Sequence, residues 1–221
     1  MKRTQTRPVM VGNIQVGGQN RCILQSMTNV RAKDADSTVE QILKLENGGC
    51  EIARTAILDE ADAKAIPAIK SRIHIPLVAD IHFNYQLALI CAQGGVDAIR
   101  INPGNIGSKV HTEAVVRACK ERHIPIRIGI NSGSLEKEVL QQYGGPCPEA
   151  MIASADKHVS ILEEMDFHDI VLSFKSSSVP LSIAVYEAAA EHYSYPLHLG
   201  VTEAGGFTES AVKSSAALGT L

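Results

Sequence analysis

The sequence contains no tryptophan, and its aromatic content is only 4% of 221 residues. The stacking platforms on which single-stranded nucleic acids are held are therefore missing. There is no surplus of positive charge either, since 21 Lys and Arg stand against 24 Asp and Glu for a net charge of −3. A nucleic-acid or anionic-membrane partner would call for a basic excess, so neither is expected. No window approaches the ~18 apolar residues of a membrane span. The opening MKRTQTRPVM carries charge but no apolar signal segment. Cysteine is sparse and scattered, with Cys22, Cys50, Cys91, Cys119 and Cys147 forming no CxxC pair. That spacing suits neither a disulfide framework nor a zinc or iron–sulfur site built by this chain alone. Cys147, between Pro146 and Pro148, is expected to be exposed, and the other four to pack as small hydrophobes. These absences leave a cytoplasmic, single-domain protein with an ordinary apolar share of 45%.

What is present is alternation. Short apolar runs recur at 23–28, 50–55, 77–83, 98–104, 125–131, 169–175 and 197–203, with helical patterns between them, which is how a parallel βα fold reads. Ser37 with Glu40 suggests a capping box for the first helix, and Gly48-Gly49 its end. NYQLALICAQ reads as a helix stopped at Gly94-Gly95, Ser108 as the cap of another, and the stretch after Pro148 as a third with Ile152, Ala155, Val159 and Leu162 on one face. Upstream, PVMVGNIQVGG reads as a hairpin turning at Gly12-Asn13. The expected architecture is an α/β, TIM-like (β/α) barrel with seven of eight parallel strands in residues 1–221 and the hairpin as an N-terminal plug. An open doubly wound sheet is the competitor. It is disfavoured because polar residues close nearly every strand instead of clustering at one switch point. The chain is expected to be cut before a last strand, leaving unpaired edges that favour association or a gap beside the first strand.

Buried parallel strands normally read as continuous apolar runs. Here Asp80 and His82 alternate with Ala79, Ile81 and Phe83, Arg100 and Asn102 with Ile99 and Ile101, and Arg127, Gly129 and Asn131 with Ile126, Ile128 and Ile130. If the apolar parity faces the helices, the polar parity points into the barrel. Arg54, Lys175 and Glu203 fall at the C-terminal ends of their runs, where barrel enzymes keep their active sites. Four cations, Arg54, Arg100, Arg127 and Lys175, thus converge, with Asp80 and Glu203 to offset two. Crowded like charges call for an anion, and guanidinium groups grip phosphate or diphosphate bidentately. Gly104, Gly107, Gly205 and Gly206 can bring backbone N–H groups to the same anion. His82, two residues from Asp80, fits an acid/base or donor role. His111, His123, His158 and His192 are assigned to solvated faces, and His198 to the outward parity. The serines at 176–178 read as a loop and helix cap.

QSMTN (25–29), VADIHF (78–83), RINPGNIG (100–107), IRIGINSGSLEKE (126–138) and LHLGVTEAGG (197–206) together resemble the 4-hydroxy-3-methylbut-2-enyl diphosphate synthase (GcpE) family, from about Val9 onward. The resemblance implies reductive ring opening of methylerythritol cyclodiphosphate to hydroxymethylbutenyl diphosphate in non-mevalonate isoprenoid biosynthesis. It implies substrate-binding roles for Arg54, His82, Arg100, Asn102, Arg127, Asn131 and Lys175. Asp80, His82 and Glu203 become the catalytic candidates, with Glu203 the proton donor. It further implies a [4Fe-4S] cluster on a separate C-terminal domain, flavodoxin or ferredoxin as electron donor, and a homodimer in which that domain closes over the partner's barrel. None of the five cysteines matches a cluster ligand, so no cofactor is expected on this chain, which should be inactive alone. A phosphosugar aldolase-type barrel forming a Schiff base at Lys175 is the alternative. Against it, no apolar neighbour is expected to depress the pKa of that lysine.

Overall fold

The computed structural model describes residues 5–18, 21–102, 106 and 109–221. Strands β1 (Pro8–Val11) and β2 (Ile14–Gly17) form the expected antiparallel hairpin, turned by Gly12 at φ +58°. Then come β3 (Gln25–Met27), β4 (Ile52–Ile57), β5 (Leu77–Ile81), β6 (Ala98–Ile101), β7 (Ile126–Asn131) and β8 (Ile170–Lys175). These six pair in parallel, in chain order. The helices are α1 (Ala35–Asn47), α2 (Glu60–Lys64), α3 (Ile66–Lys70), α4 (Tyr85–Gln93), α5 (Lys109–Arg122), α6 (Lys137–Tyr143), α7 (Pro148–Glu163), α8 (Val179–His192) and α9 (Phe207–Thr220).

Local chemistry sets most of these boundaries. The cap of α1 is Asp34, whose carboxylate accepts from the Ser37 N–H, so the helix starts before the expected Ser37 box. Asn84 caps α4 and Ser178 caps α8 in the same way. At α7 the Cys147 sulfur takes that role, with Pro148 opening the helix. The predicted cap at Ser108 lies outside the described residues.

Alternation along the strands divides two cores. Ala53, Ile57, Ala79, Ile81, Ile99, Ile101, Ile126, Ile128 and Leu172 face outward into one large cluster with the helices. At roughly 1.5–3 kcal/mol for each buried aliphatic side chain, this layer dominates folding. The inward residues at the strand starts, Ile52, Val78 and Ala98, form a second small cluster with Val11 of the hairpin, packed also by Ile14 and Val16. The hairpin thus plugs the N-terminal end of the sheet.

Curvature is evident from one contact. Arg127 of β7 hydrogen-bonds Gln25 of β3, although three strands lie between them. The strand count differs from expectation. The run 197–203 makes a single bridge, Leu172 to Leu197, so six strands and an isolated bridge replace seven strands. Pro196 cannot donate to a ladder, and Glu203 adopts φ +50°, which ends the extended path. On its far side, β3 pairs with no strand among the described residues. This is the gap expected beside the first strand.

Burial corrects several assignments. Cys91 and Cys119 are buried, but Cys22 is exposed and Cys50 and Cys147 are half-buried. His111 stacks on Tyr85 at 4.1 Å between ring centroids. His123 and His192 are exposed. His158 is buried at 7% exposure, with Nε2 at 3.0 Å from the Glu136 carboxylate. The interval from Glu136 to His158 spans a loop and two helices, so local periodicity could not reveal this pair. Phe83 does not follow Ala79 and Ile81 into the apolar layer but is 72% exposed, because β5 ends at Ile81.

Candidate anion site at the strand ends

Parallel register stacks the charges at one level. Asp80 pairs with Arg100 and Arg100 with Arg127 across β5, β6 and β7. One turn of the pleat higher, Gly129 lies opposite Ser173 and Asn131 opposite Lys175. The four predicted cations therefore do converge, and only one buried acid stands among them.

Asp80 is 3% exposed. Its Oδ1 accepts from Arg100 Nη1 at 3.2 Å. Its Oδ2 lies 3.6 Å from Arg54 Nε and 3.5 Å from His82 Nε2. Burial opposes its ionisation, yet His82, Arg100 and Arg54 together hold the carboxyl well below the usual carboxylate range. Asp80 is thus a firmly ionised anchor for the cations. Arg54 also contacts the Met27 sulfur, a weak acceptor that leaves most of its donor capacity unused.

Arg127 is 5% exposed. Burial, joined by repulsion from Arg54 and Arg100, pushes its guanidinium down to about 9 despite the attraction of Asp80. Its Nη1 donates to Gln25 Oε1 at 3.0 Å and meets His198 Nδ1 at 3.1 Å. Its Nη2 is buried without a partner, as are Gln25 Nε2 and Asn131 Oδ1. Orphaned buried polar atoms are costly, and a ligand or an ordered water is what ordinarily satisfies them.

Lys175 makes no ion pair among the described residues. Burial and the neighbouring Arg54, Arg127 and Arg100 push its amine down to about 7. The expectation that no apolar neighbour depresses this lysine left out the two causes that do, enclosure first and the arginine cluster second; strand parity near Ser173 could not show them. Gly200 makes room for it, since a Cβ there would lie 3.2 Å from Lys175 Cε.

The remaining candidates divide. Asn102 is buried just beyond β6, and His82 is half-buried at the mouth. Asn131 ends β7 and leads into a 3-10 turn at Ser132–Ser134. Glu203 is exposed and carries no hydrogen bond or ion pair among the described residues. It stands at the same rim, because the Thr202 N–H donates to the Ser176 carbonyl at 3.2 Å. It does not offset the buried cations as expected, so Asp80 does so alone. Gly205 and Gly206 lead into α9, and Gly104 and Gly107 lie outside the described residues.

Two groups escaped the sequence reading. His198, expected on the outward parity, lies instead on the inward side of the bridge that Leu197 makes with Leu172. Leu197 and Leu199 pack toward the helices, so His198 and Gly200 face Arg127 and Lys175. Gln25, at the start of β3, was visible only as part of a motif. Outside the cup, a groove along α2 and α4 is lined by Asp59, Glu60, Asn84 and Leu87, with no Lys or Arg in its lining. It does not compete for an anion.

Comparison with known proteins agrees with this geometry. The sequence profile described as the GcpE TIM-barrel domain matches residues 6–221. The 4-hydroxy-3-methylbut-2-en-1-yl diphosphate synthase (flavodoxin) of Geobacillus thermodenitrificans (strain NG80-2) is 57% identical over 219 residues, covering 99% of this chain and 59% of that protein. The one from Clostridium perfringens (strain 13 / Type A) is 58% identical over 221 residues, covering 100% and 63%. The chain thus spans about three-fifths of the length of these curated relatives. Among solved structures, dihydropteroate synthase from Vibrio fischeri ES114 superposes with a TM-score of 0.59 at 13% identity, covering 87% of this chain and 77% of that one. A Thermotoga maritima phospho-2-dehydro-3-deoxyheptonate aldolase gives 0.56 at 11%, covering 87% and 63%. At such identities they speak for the fold alone. By its profile, its relatives and the cation-lined mouth of its parallel sheet, this chain belongs to the GcpE TIM-barrel domain family.

Proposed function

We propose that this chain is the diphosphate-holding barrel of a 4-hydroxy-3-methylbut-2-enyl diphosphate synthase. In this reading the whole protein opens methylerythritol cyclodiphosphate reductively, adding two electrons and two protons and losing water, to give hydroxymethylbutenyl diphosphate. The observation that carries it is the Arg54–Arg100–Arg127–Lys175 cluster, in which Arg100 and Arg127 are buried and Arg54 and Lys175 half-buried, with Asp80 the acid that pairs there among the described residues and with an orphaned Arg127 Nη2. A diphosphate supplies the missing negative charge and the missing acceptors together.

Within that site Arg54, Arg100, Arg127 and Lys175 bind the diphosphate, and Asn102 and Asn131 the polyol. His82 and Asp80 are, in this reading, the groups beside the reacting carbons. Lys175 takes up a proton as the anion enters, since a neighbouring negative charge raises an amine's affinity for protons. Glu203, exposed at the rim, delivers a proton once the site is covered.

The chain's own residues do not fit a [4Fe-4S] cluster. No group of three or more His, Cys, Asp or Glu gathers among the described residues. Burial pushes the thiols of Cys91 and Cys119 up to about 12, far from the thiolate a cluster needs. In this reading the cluster belongs to a further domain of the whole protein. Flavodoxin, which is part of the name of these relatives, is the proposed electron donor, with ferredoxin the other option. A homodimer and a cytoplasmic setting complete the reading, the latter in keeping with five free cysteines. Among the described residues no helix is long and apolar enough to cross a membrane.

The test is calorimetric titration with methylerythritol cyclodiphosphate. Tight binding that is lost in Arg100→Glu and Arg127→Glu supports the site, and unchanged affinity in both overturns it. Anaerobic turnover by the whole protein with a one-electron donor tests the reaction. A second reading gains from the depressed Lys175, whose amine near neutrality suits Schiff-base chemistry on a phosphorylated sugar. Borohydride reduction with such sugars and mass spectrometry at Lys175 decides it, and no trapped adduct removes it.

A further inference from the structure

Arg127 is the most enclosed cation of the cup, and its orientation is set from the side opposite the mouth. One Nη1 hydrogen is taken by Gln25 Oε1 at 3.0 Å, and the other points to His198 Nδ1 at 3.1 Å. With Nη1 saturated, the whole remaining capacity of the buried edge falls on Nη2, which has no protein partner. We propose that His198 is a positioning residue of the anion site, whose neutral ring holds Arg127 so that Nη2 is presented to the ligand. This rests on the reading of the cup as a diphosphate site.

Geometry fixes the ring and its tautomer. The His198 N–H donates to the Leu172 carbonyl at 2.7 Å, and its own carbonyl accepts from Tyr186 Oη at 2.6 Å. The backbone is thereby pinned between β8 and α8, and the ring cannot retreat from Arg127. A guanidinium only donates, so Nδ1 must accept and the ring hydrogen must sit on Nε2. The groups facing the ring all favour that state. Arg127 of β7, Lys175 of β8, Arg54 of β4 and Arg100 of β6 add their positive field to the ring's enclosure and push the imidazole well below its ordinary value. Asp80 of β5 is the single acid on that side and is already engaged by Arg54 and Arg100. The Tyr186 hydroxyl of α8, itself raised by burial, stays neutral. A protonated ring would have no acceptor to offer and would repel Arg127.

A residue that merely filled space would tolerate any side chain of similar volume. A positioning residue needs an acceptor where Nδ1 lies, which Asn supplies and Leu does not. The experiment titrates inorganic diphosphate into the wild type, His198→Leu and His198→Asn, with melting temperatures recorded alongside. Long-range 1H–15N spectra of the histidine rings report tautomer and charge. We expect His198→Leu to bind about tenfold more weakly, the loss of one hydrogen bond to a charged group, and His198→Asn to recover to within about threefold. The spectra should show an Nε2–H ring that does not titrate between about pH 8 and 5.5. Folded His198→Leu with wild-type affinity, or a ring that titrates in that range, overturns the role of His198 alone. A wild type that ignores diphosphate overturns the reading of the cup itself.

Discussion

The Arg100 guanidinium lies directly over the bare backbone of Gly129: a Cβ at that glycine would stand 2.5 Å from Arg100 Nε and 2.6 Å from Nη2. The arginine is buried and tied to Asp80, so it cannot easily move aside. The absent side chain on β7 is what allows the cation on β6 to lie flat across the lumen.

Gly129→Ala should therefore displace Arg100 and break its contact with Asp80. We expect a stability loss of about 1–3 kcal/mol, in the range of overpacked sites, with a clear loss of diphosphate affinity. Denaturant unfolding beside calorimetry measures both. A variant that keeps both values removes this account of the glycine.

Lys175→Met should show opposed effects. With its amine pushed from 10.5 down to about 7, the folded state resists a proton that the unfolded chain accepts. Between those values the unfolded state binds more protons, so ligand-free stability rises with pH across the window. The methionine variant should melt higher than the wild type below about pH 7 and lose that part of the pH slope. Its diphosphate affinity should fall. Melting curves at stepped pH, with and without diphosphate, check all three.

Asp62 links two loops at the mouth. Its fully buried carboxylate meets Arg31 at 2.6 Å and accepts from the backbone N–H groups of Lys33, Leu58 and Asp59. Asp62→Ala removes the acceptor of those amides, while Arg31, 40% exposed, keeps Asp59 at 2.7 Å; the unsatisfied buried donors should cost about 1–3 kcal/mol. Chemical denaturation measures this, and a loss below about 1 kcal/mol contradicts the bracing role.

Glu136 supplies an acid-side signature. Its carboxyl is penalised by burial, but hydrogen bonds from His158 and Ser154 pull it from 4.5 to about 2. A carboxylate lowered in this way stabilises the fold above the unfolded value, and the contribution is lost as pH falls through that interval. Glu136→Gln should flatten the wild-type loss of stability between about pH 4.5 and 2. An unchanged acid limb would show that other carboxylates dominate there.

The order of strands and the plug were legible because period-two alternation and turn residues are local signals. Arg54, Asp80, Arg100 and Arg127 were legible for the same reason, as polar side chains on one parity of regular strands. What escaped required knowledge of the third dimension. The inward face of His198 follows from the bridge between Leu172 and Leu197, a register that the segment 197–203 does not carry in its own sequence. The Glu136–His158 pair depended on how α7 packs over the loop after β7. The depression of Lys175 depended on how many cations share one lumen, a property of the assembled sheet and not of the segment that carries the lysine.

The hairpin has a further effect. By seating Val11 among Ile52, Val78 and Ala98, it closes the end of the sheet opposite the strand ends that carry Arg54 and Lys175. On the reading of the cup as a diphosphate site, a product that keeps its diphosphate would hold the same arginines the next molecule needs, so the grip that aids capture would also slow departure.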